Sequence, residues 1–191
     1  MNKLEQEIKK INKNYFSLND LRKISHLQEA SLKVAINRLI KEKKIIRLAN
    51  NFYTVEPAKI VLEKLAQELL SPSYISFETA LAHYGIISQK PSNLTLATLG
   101  RSQQKKVLNV NLIFRHLQKN LFWGYVRLTD YYLATPEKAL IDLIYLSLNG
   151  NYRIDLTELE LNVINRKIFK QYLEKVENKR LKMKLRMFFN D

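Results

Sequence analysis

Between Ser17 and Val55 the chain reads SLNDLRKISHLQEASLKVAINRLIKEKKIIRLANNFYTV. Its hydrophobic period changes once along this run, from that of a helix to that of a strand, and few small folds accommodate such an order. Ser17 is a good N-cap, and Asp20 follows where a carboxylate favours a helix start. Leu18, Leu21 and Ile24 give this helix an apolar face, and Ser25 and His26 break the pattern. A second helix is predicted from Gln28 or Glu29 to about Lys43. Leu32, Ala35, Ile36, Leu39 and Ile40 form its apolar stripe. Its opposite face carries Ala30, Val34, Asn37 and Lys41, flanked by Ser31, Lys33 and Arg38.

A ribbon follows. Ile45 to Leu48 and Phe52 to Val55 read as strands, separated by Ala49, Asn50 and Asn51. Asn tolerates the positive φ of a tight hairpin. A helix, a short turn, a longer basic helix and a ribbon, in that order, predict a winged helix-turn-helix. Small and polar side chains on the second helix would let its backbone approach base edges, and its Lys and Arg would reach phosphates. The predicted DNA-binding residues are Ser31, Lys33, Val34, Asn37, Arg38 and Lys41 on the helix. Arg47, Asn50 and Asn51 are added at the wing tip, with Tyr53 at its base. The competing structural reading is a three-helix packing unit whose charges are merely solvated.

Charge placement favours the first reading. Residues 1–55 hold 12 Lys/Arg against 5 Asp/Glu, residues 56–165 hold 11 against 10, and residues 166–191 hold 9 against 3. The net of +14 is therefore concentrated at the two ends. A basic segment coinciding with a helix-turn-helix pattern is the expected electrostatic footprint on DNA. A hydrophobic fraction of 46% is enough for a core, which argues against global disorder. With no cysteine, disulfides, thiolate-zinc sites and thiol catalysis are excluded. The polar start, MNKLEQEIKK, is unlike a signal sequence, and the apolar run Ala139 to Leu148 is too short to span a bilayer. A cytoplasmic location is expected.

Residues 1–13 read as a first helix, with Leu4, Ile8 and Ile11 on one face. Glu56-Pro57 ends the wing and marks the expected domain boundary. A joining helix is predicted over Ala58–Leu70, and another from Phe77 to Tyr84 with Gly85 closing it. Asn93–Leu99, Val107–Phe114, Phe122–Leu128 and Tyr131–Leu133 read as strands, with a polar turn over Gly100–Lys106. Thr135-Pro136-Glu137 is a strong helix start: a cap, a proline in the first position and a carboxylate in the first turn. That helix runs to Leu148 and ends at Asn149-Gly150-Asn151. Asp155 or Thr157 would cap a short helix to Leu161, and a last helix covers about Arg166 to Phe188. The expected class is α+β. A winged helix-turn-helix over 1–56 precedes an α+β domain over 57–191, with a small, mainly antiparallel sheet and C-terminal helices.

No catalytic, metal or cofactor site is predicted. His26, His83 and His116 are isolated, and the four glycines build no phosphate-binding loop or dinucleotide fingerprint. The five aspartates are far apart.

Three segments carry a family likeness: Tyr74-Ile75-Ser76-Phe77-Glu78-Thr79-Ala80-Leu81-Ala82-His83-Tyr84-Gly85-Ile86-Ile87, Leu94-Thr95-Leu96-Ala97-Thr98, and Ala134-Thr135-Pro136-Glu137-Lys138-Ala139-Leu140-Ile141-Asp142-Leu143. With the preceding helices and ribbon, spanning roughly residues 10–150, they resemble the AbiEi abortive-infection antitoxins, transcriptional regulators of phage-defence operons. The resemblance implies a winged helix that binds inverted repeats in operator DNA and represses its own operon. It also implies a C-terminal domain that counters a nucleotidyltransferase-like toxin, in a type IV system where the two need not form a stable complex. Asn50-Asn51 stands where a glycine is common in the wing, and the chain is short for the family. Most residues of the shared segments are those expected for packing and capping. Glu78, His83, Arg101, Arg115, Glu137 and Lys138 are polar residues within or beside them with less structural excuse.

The basic end adds Lys175, Lys179, Arg180, Lys182, Lys184 and Arg186 as polyanion-binding or antitoxin candidates, alongside Arg101, Arg115 and Lys138. Its target would be flanking DNA, the toxin's RNA or an acidic toxin surface; otherwise it is a solvated helix docked by Ile168, Phe169, Tyr172 and Val176. Two other function classes remain: a nucleic-acid-processing or nucleotide-transferring enzyme with a DNA-binding appendage, and an RNA-binding protein.

Overall fold

The structure is a computed structural model and describes residues 3–11, 13–148 and 159–187. The chain divides into two compact units, the first ending at Leu62 and the second beginning at Glu63.

The first unit contains α1 (Lys3–Lys9), β1 (Phe16–Ser17), α2 (Leu18–Ile24), α3 (Glu29–Lys41), β2 (Ile46–Ala49) and β3 (Phe52–Thr54). A reciprocal capping box starts α2. The Ser17 hydroxyl accepts from the Asp20 N–H at 3.1 Å, and the Asp20 carboxylate accepts from the Ser17 N–H at 2.8 Å. Burial pushes the Asp20 carboxyl up, but hydrogen bonds from Lys13 and from the Ser17 backbone and hydroxyl outweigh it, and its pKa falls to about 2. After α3 the chain turns at Lys43, with φ 55°, and enters β2.

β2 and β3 form an antiparallel hairpin with an irregularity between Arg47 and Ala49, and Asn51 takes φ 63° at its tip. β1 pairs antiparallel with the other edge of β3, giving the order β1-β3-β2. β1 leaves no trace in the sequence pattern, because two residues are too few to show a period. The core gathers Leu4 and Ile8 of α1, Leu18 and Leu21 of α2, Leu32, Ile36 and Leu39 of α3, and Phe16, Ile45 and Tyr53 around the sheet.

Pro57–Lys59 is a short 3-10 turn, not part of a helix. The helix expected over Ala58–Leu70 begins only at Leu62, as α4 (Leu62–Leu69), because Ile60 is extended after the turn. The adjacent β-branched Ile60 and Val61 fit that extended path better than a helix interior.

The second unit continues with β4 (Ser73–Ile75), α5 (Phe77–His83), β5 (Leu94–Thr98), β6 (Gln103–Val107), β7 (Val110–His116), β8 (Tyr125–Arg127), β9 (Tyr132–Ala134), α6 (Pro136–Ser147), α7 (Arg166–Lys175) and α8 (Lys179–Arg186). The six strands run in the order β6-β7-β5-β4-β9-β8. β6–β7, β5–β4 and β9–β8 are antiparallel, while β7–β5 and β4–β9 are parallel, so the sheet is mixed with antiparallel pairs in the majority.

β6 corrects the polar turn expected over Gly100–Lys106. Its run Gln103-Gln104-Lys105-Lys106 lies on the sheet edge and buries little, so it shows no hydrophobic alternation. α5 packs on α6, and α7 and α8 also pack on α6. Thr135 caps α6 by accepting from the Lys138 N–H, with Pro136 in the first turn.

The single terminal helix expected over Arg166–Phe188 is two. Val176 is buried and extended, and Asn178 restarts the helix by accepting from the Leu181 N–H at 3.0 Å. The expected stop at Asn149-Gly150-Asn151 and the caps at Asp155 or Thr157 lie outside the described residues. Among the described residues no helix is long and apolar enough to cross a membrane.

Candidate nucleic-acid interface

α3 turns Leu32, Ile36 and Leu39 into the core of the first unit, which leaves its other side in solvent. Ser31, Lys33, Val34, Asn37, Arg38 and Lys41 are all exposed there, as is Ala30. Val34 is 70% exposed, although a β-branched side chain slightly lowers helix propensity.

The cations on this face are not equivalent. Lys33 meets Glu29 at 2.7 Å and Arg38 meets Glu42 at 2.8 Å. Glu29 also receives Arg22 at 2.8 Å. The hydrogen bond from Lys33, then the charge of Arg22, hold the Glu29 carboxyl below its usual value. Hydrogen bonds from Arg38 and Lys44 do the same for Glu42, against a smaller desolvation. Lys41 forms no ion pair among the described residues. These exposed pairs are weak and solvent-screened, so a phosphate can compete for the same cations.

Arg47 is not at the hairpin tip, where the sequence reading put it. It lies opposite Tyr53 in the ladder, with its guanidinium 5.7 Å from the centroid of the Tyr53 ring. Its Nη2 donates to Asn37 Oδ1 at 3.3 Å. The strand register thus delivers Arg47 to the middle of α3. Asn50 and Asn51 form the tip and are exposed, and the Asn51 carbonyl accepts from the Leu18 N–H at 2.8 Å, which ties the tip to the start of α2.

In the second unit several sequence candidates are committed elsewhere. Lys138 is fully buried. Its ammonium donates to Asp142 and, at 3.0 Å, to the Tyr74 hydroxyl, so it is not available to a polyanion. Arg115 donates to both oxygens of Glu78 at 2.8 and 3.0 Å and lies 5.1 Å from the Phe77 ring centroid. Glu137 is buried and accepts from the Asn165 N–H at 2.9 Å, joining α6 to the start of α7. Arg101 and His83 are exposed, and the His83 ring meets Tyr84 edge-on at 5.0 Å.

The terminal candidates divide. Lys182 meets Glu174 at 3.1 Å, Lys184 donates to the Ser147 hydroxyl at 2.7 Å, and Lys175 lies 5.6 Å from the Trp123 ring centroid. Lys179, Arg180 and Arg186 are exposed, while Leu181 and Leu185 are buried.

The polar cluster around Lys138 is absent from the sequence expectations. Asp142 Oδ2 accepts from the Tyr74 hydroxyl at 2.9 Å and from Ser76 at 2.7 Å. Burial pushes the Asp142 carboxyl up, the Lys138 ammonium down and the Tyr74 phenol well up. The available signal was a Lys and an Asp four residues apart inside an otherwise apolar helix. All four side chains are fully buried, so the cluster braces the core and offers no surface to a substrate. Among the described residues no three His, Cys, Asp or Glu side chains gather as a metal site. No model of a known protein family matches the chain, and no curated protein matches it significantly.

Proposed function

We propose that the chain is a sequence-specific DNA-binding autorepressor whose first unit is a winged helix-turn-helix. α3 is the recognition helix in this reading, and the β2–β3 hairpin is the wing. The supporting observation is the exposed face of α3. It combines small and amide side chains at its centre with Lys33, Arg38 and Lys41 around them, and the hairpin lies beside it. An α-helix of this kind fits the major groove, with its cations on the flanking phosphates. The basic balance of residues 1–55 supplies the complementary charge.

The resemblance of the second unit to the AbiEi antitoxins supports a fuller reading. In it the protein governs a type IV abortive-infection operon, and the second unit counters a nucleotidyltransferase-like toxin. The exposed cations Lys179, Arg180 and Arg186 are its polyanion-facing candidates. Two experiments test this. A mobility-shift assay of the full chain on the DNA upstream of its own gene should show a retarded complex that salt weakens. Co-expression with the product of any adjacent nucleotidyltransferase-like gene should relieve growth arrest. Failure to retard that DNA at low salt contradicts the repressor reading, and failure of relief contradicts the antitoxin reading.

A further inference from the structure

We propose that the α3 face reads two neighbouring A·T base pairs, through Val34 on a thymine methyl and Asn37 on an adenine edge. This inference rests on the DNA-binding reading and adds to it the class of sequence recognised.

Val34 and Asn37 are three residues apart on one helix face, so their Cβ atoms lie about 5–6 Å apart. That suits two successive base pairs, at about 3.4 Å per step along a strand. Val34 is the large apolar side chain of this face and stands 70% in solvent. In the major groove a thymine presents a 5-methyl group, the one apolar feature there, and a valine covering it removes both from water. Ala30, one turn earlier, leaves room for the approach.

Asn37 is oriented before any DNA arrives. The Arg47 guanidinium donates to Oδ1 at 3.3 Å, which favours the orientation that turns Oδ1 toward the hairpin. Oδ1 keeps a second lone pair, and Nδ2 keeps its two protons. That leaves the acceptor and donor needed for the N6 and N7 atoms of adenine. Arg47 is itself held over the Tyr53 ring, so it acts here as a positioning residue.

The same face discourages guanine. A guanine is read by an arginine offering two N–H groups to O6 and N7. At Asn37 a guanine would set one of its two acceptors against Oδ1, so the amide would keep one bond at most. RNA is also disfavoured, because it lacks the methyl group and its deep groove does not admit the helix.

The test uses the full chain and a pool of randomised 20-base-pair DNA duplexes. Selection should enrich two adjacent A·T pairs in the bound site. Replacing one thymine of the selected duplex by deoxyuridine should weaken binding by about three- to fivefold, the effect of one buried methyl group. Val34→Ala, exposed and so harmless to the fold, should bind both duplexes equally. Asn37→Ala should lose about tenfold or more at the neighbouring adenine and nowhere else. Binding that ignores deoxyuridine at every position, a Val34→Ala variant that still prefers thymine, or enrichment of G·C pairs under α3 overturns this proposal while leaving DNA binding intact. If no duplex is retained at low salt, the DNA-binding reading fails and this inference with it.

Discussion

Lys138 and Asp142, one turn apart in α6, form an ion pair with both side chains fully buried. Charges removed from water cost several kcal/mol each unless every lone pair and proton is met. Here Tyr74 and Ser76 complete the shell of Asp142, and the Lys138 ammonium also lies 5.1 Å from the Trp123 ring centroid. The pair connects α6 to β4 and to the N-cap of α5. Lys138→Met or Asp142→Leu alone strands a buried charge, and each should destabilise the protein by about 3–5 kcal/mol in urea unfolding. The double variant should recover most of that loss. Single variants costing under about 1 kcal/mol would show that the pair does not brace this core.

Gly124 presses on the same lysine. It has φ 74°, and a Cβ there would come within 3.0 Å of Lys138 Cγ. Gly124→Ala should therefore cost about 1–3 kcal/mol, from backbone strain and from the collision together. A thermal melt unchanged by the substitution would contradict this packing.

Asp20 makes the first unit acid-sensitive. Its pKa is depressed to about 2 from an ordinary 3.8, so the folded state binds the proton less readily than the unfolded chain. The contribution to stability is complete above about pH 4 and is lost as the pH falls through about 2. Asp20→Asn should remove that part of the acid dependence, so wild type and variant melt closer together near pH 2 than near pH 6. Ser17→Ala should cost about 1 kcal/mol at neutral pH through loss of the cap. Equal pH profiles for wild type and Asp20→Asn would contradict the capping role.

Much of the first unit is legible in the sequence because its signals are local. The Ser17–Asp20 box, the stripe Leu32–Ile36–Leu39 and the Asn50–Asn51 turn each need only neighbouring residues. The candidate site is legible to the same extent: the exposed residues of α3 follow from its period. What was missed depends on distant partners. Arg47 reads as a wing-tip cation until the register sets it against Tyr53 and Asn37. Lys138 reads as a surface charge until α6 is surrounded on every side. β6 buries too little to leave a pattern, and the break at Val176–Asn178 lacks the glycine or proline that usually announces one.

Arg47 is predicted to position Asn37 rather than to hold a phosphate. Arg47→Gln should relax the preference for adenine on the selected duplex while leaving the salt slope of binding unchanged. A slope reduced by about 0.9 with sequence preference intact would assign Arg47 to a phosphate instead.

The tail cations that remain exposed, Lys179, Arg180 and Arg186, lie opposite the buried Leu181 and Leu185. Reversal of each to Glu should leave the melting temperature within about 2 °C of wild type, since a single surface change of this kind rarely exceeds about 0.5 kcal/mol. Under the antitoxin reading proposed above, loss of toxin relief with DNA binding intact would assign them to that function. Loss of DNA affinity with relief intact would assign them to the DNA. No change in either would leave them solvated.

The central claim is that α3 meets DNA, and the salt dependence of binding by Lys41→Gln tests it most directly. Lys41 is exposed, and among the described residues it is outside any ion pair, so its loss disturbs nothing in the fold. With the full chain and one operator duplex, log K should fall linearly with log salt, and Lys41→Gln should reduce that slope by about 0.9. A slope identical to wild type, or no binding by wild type at low salt, would contradict the account.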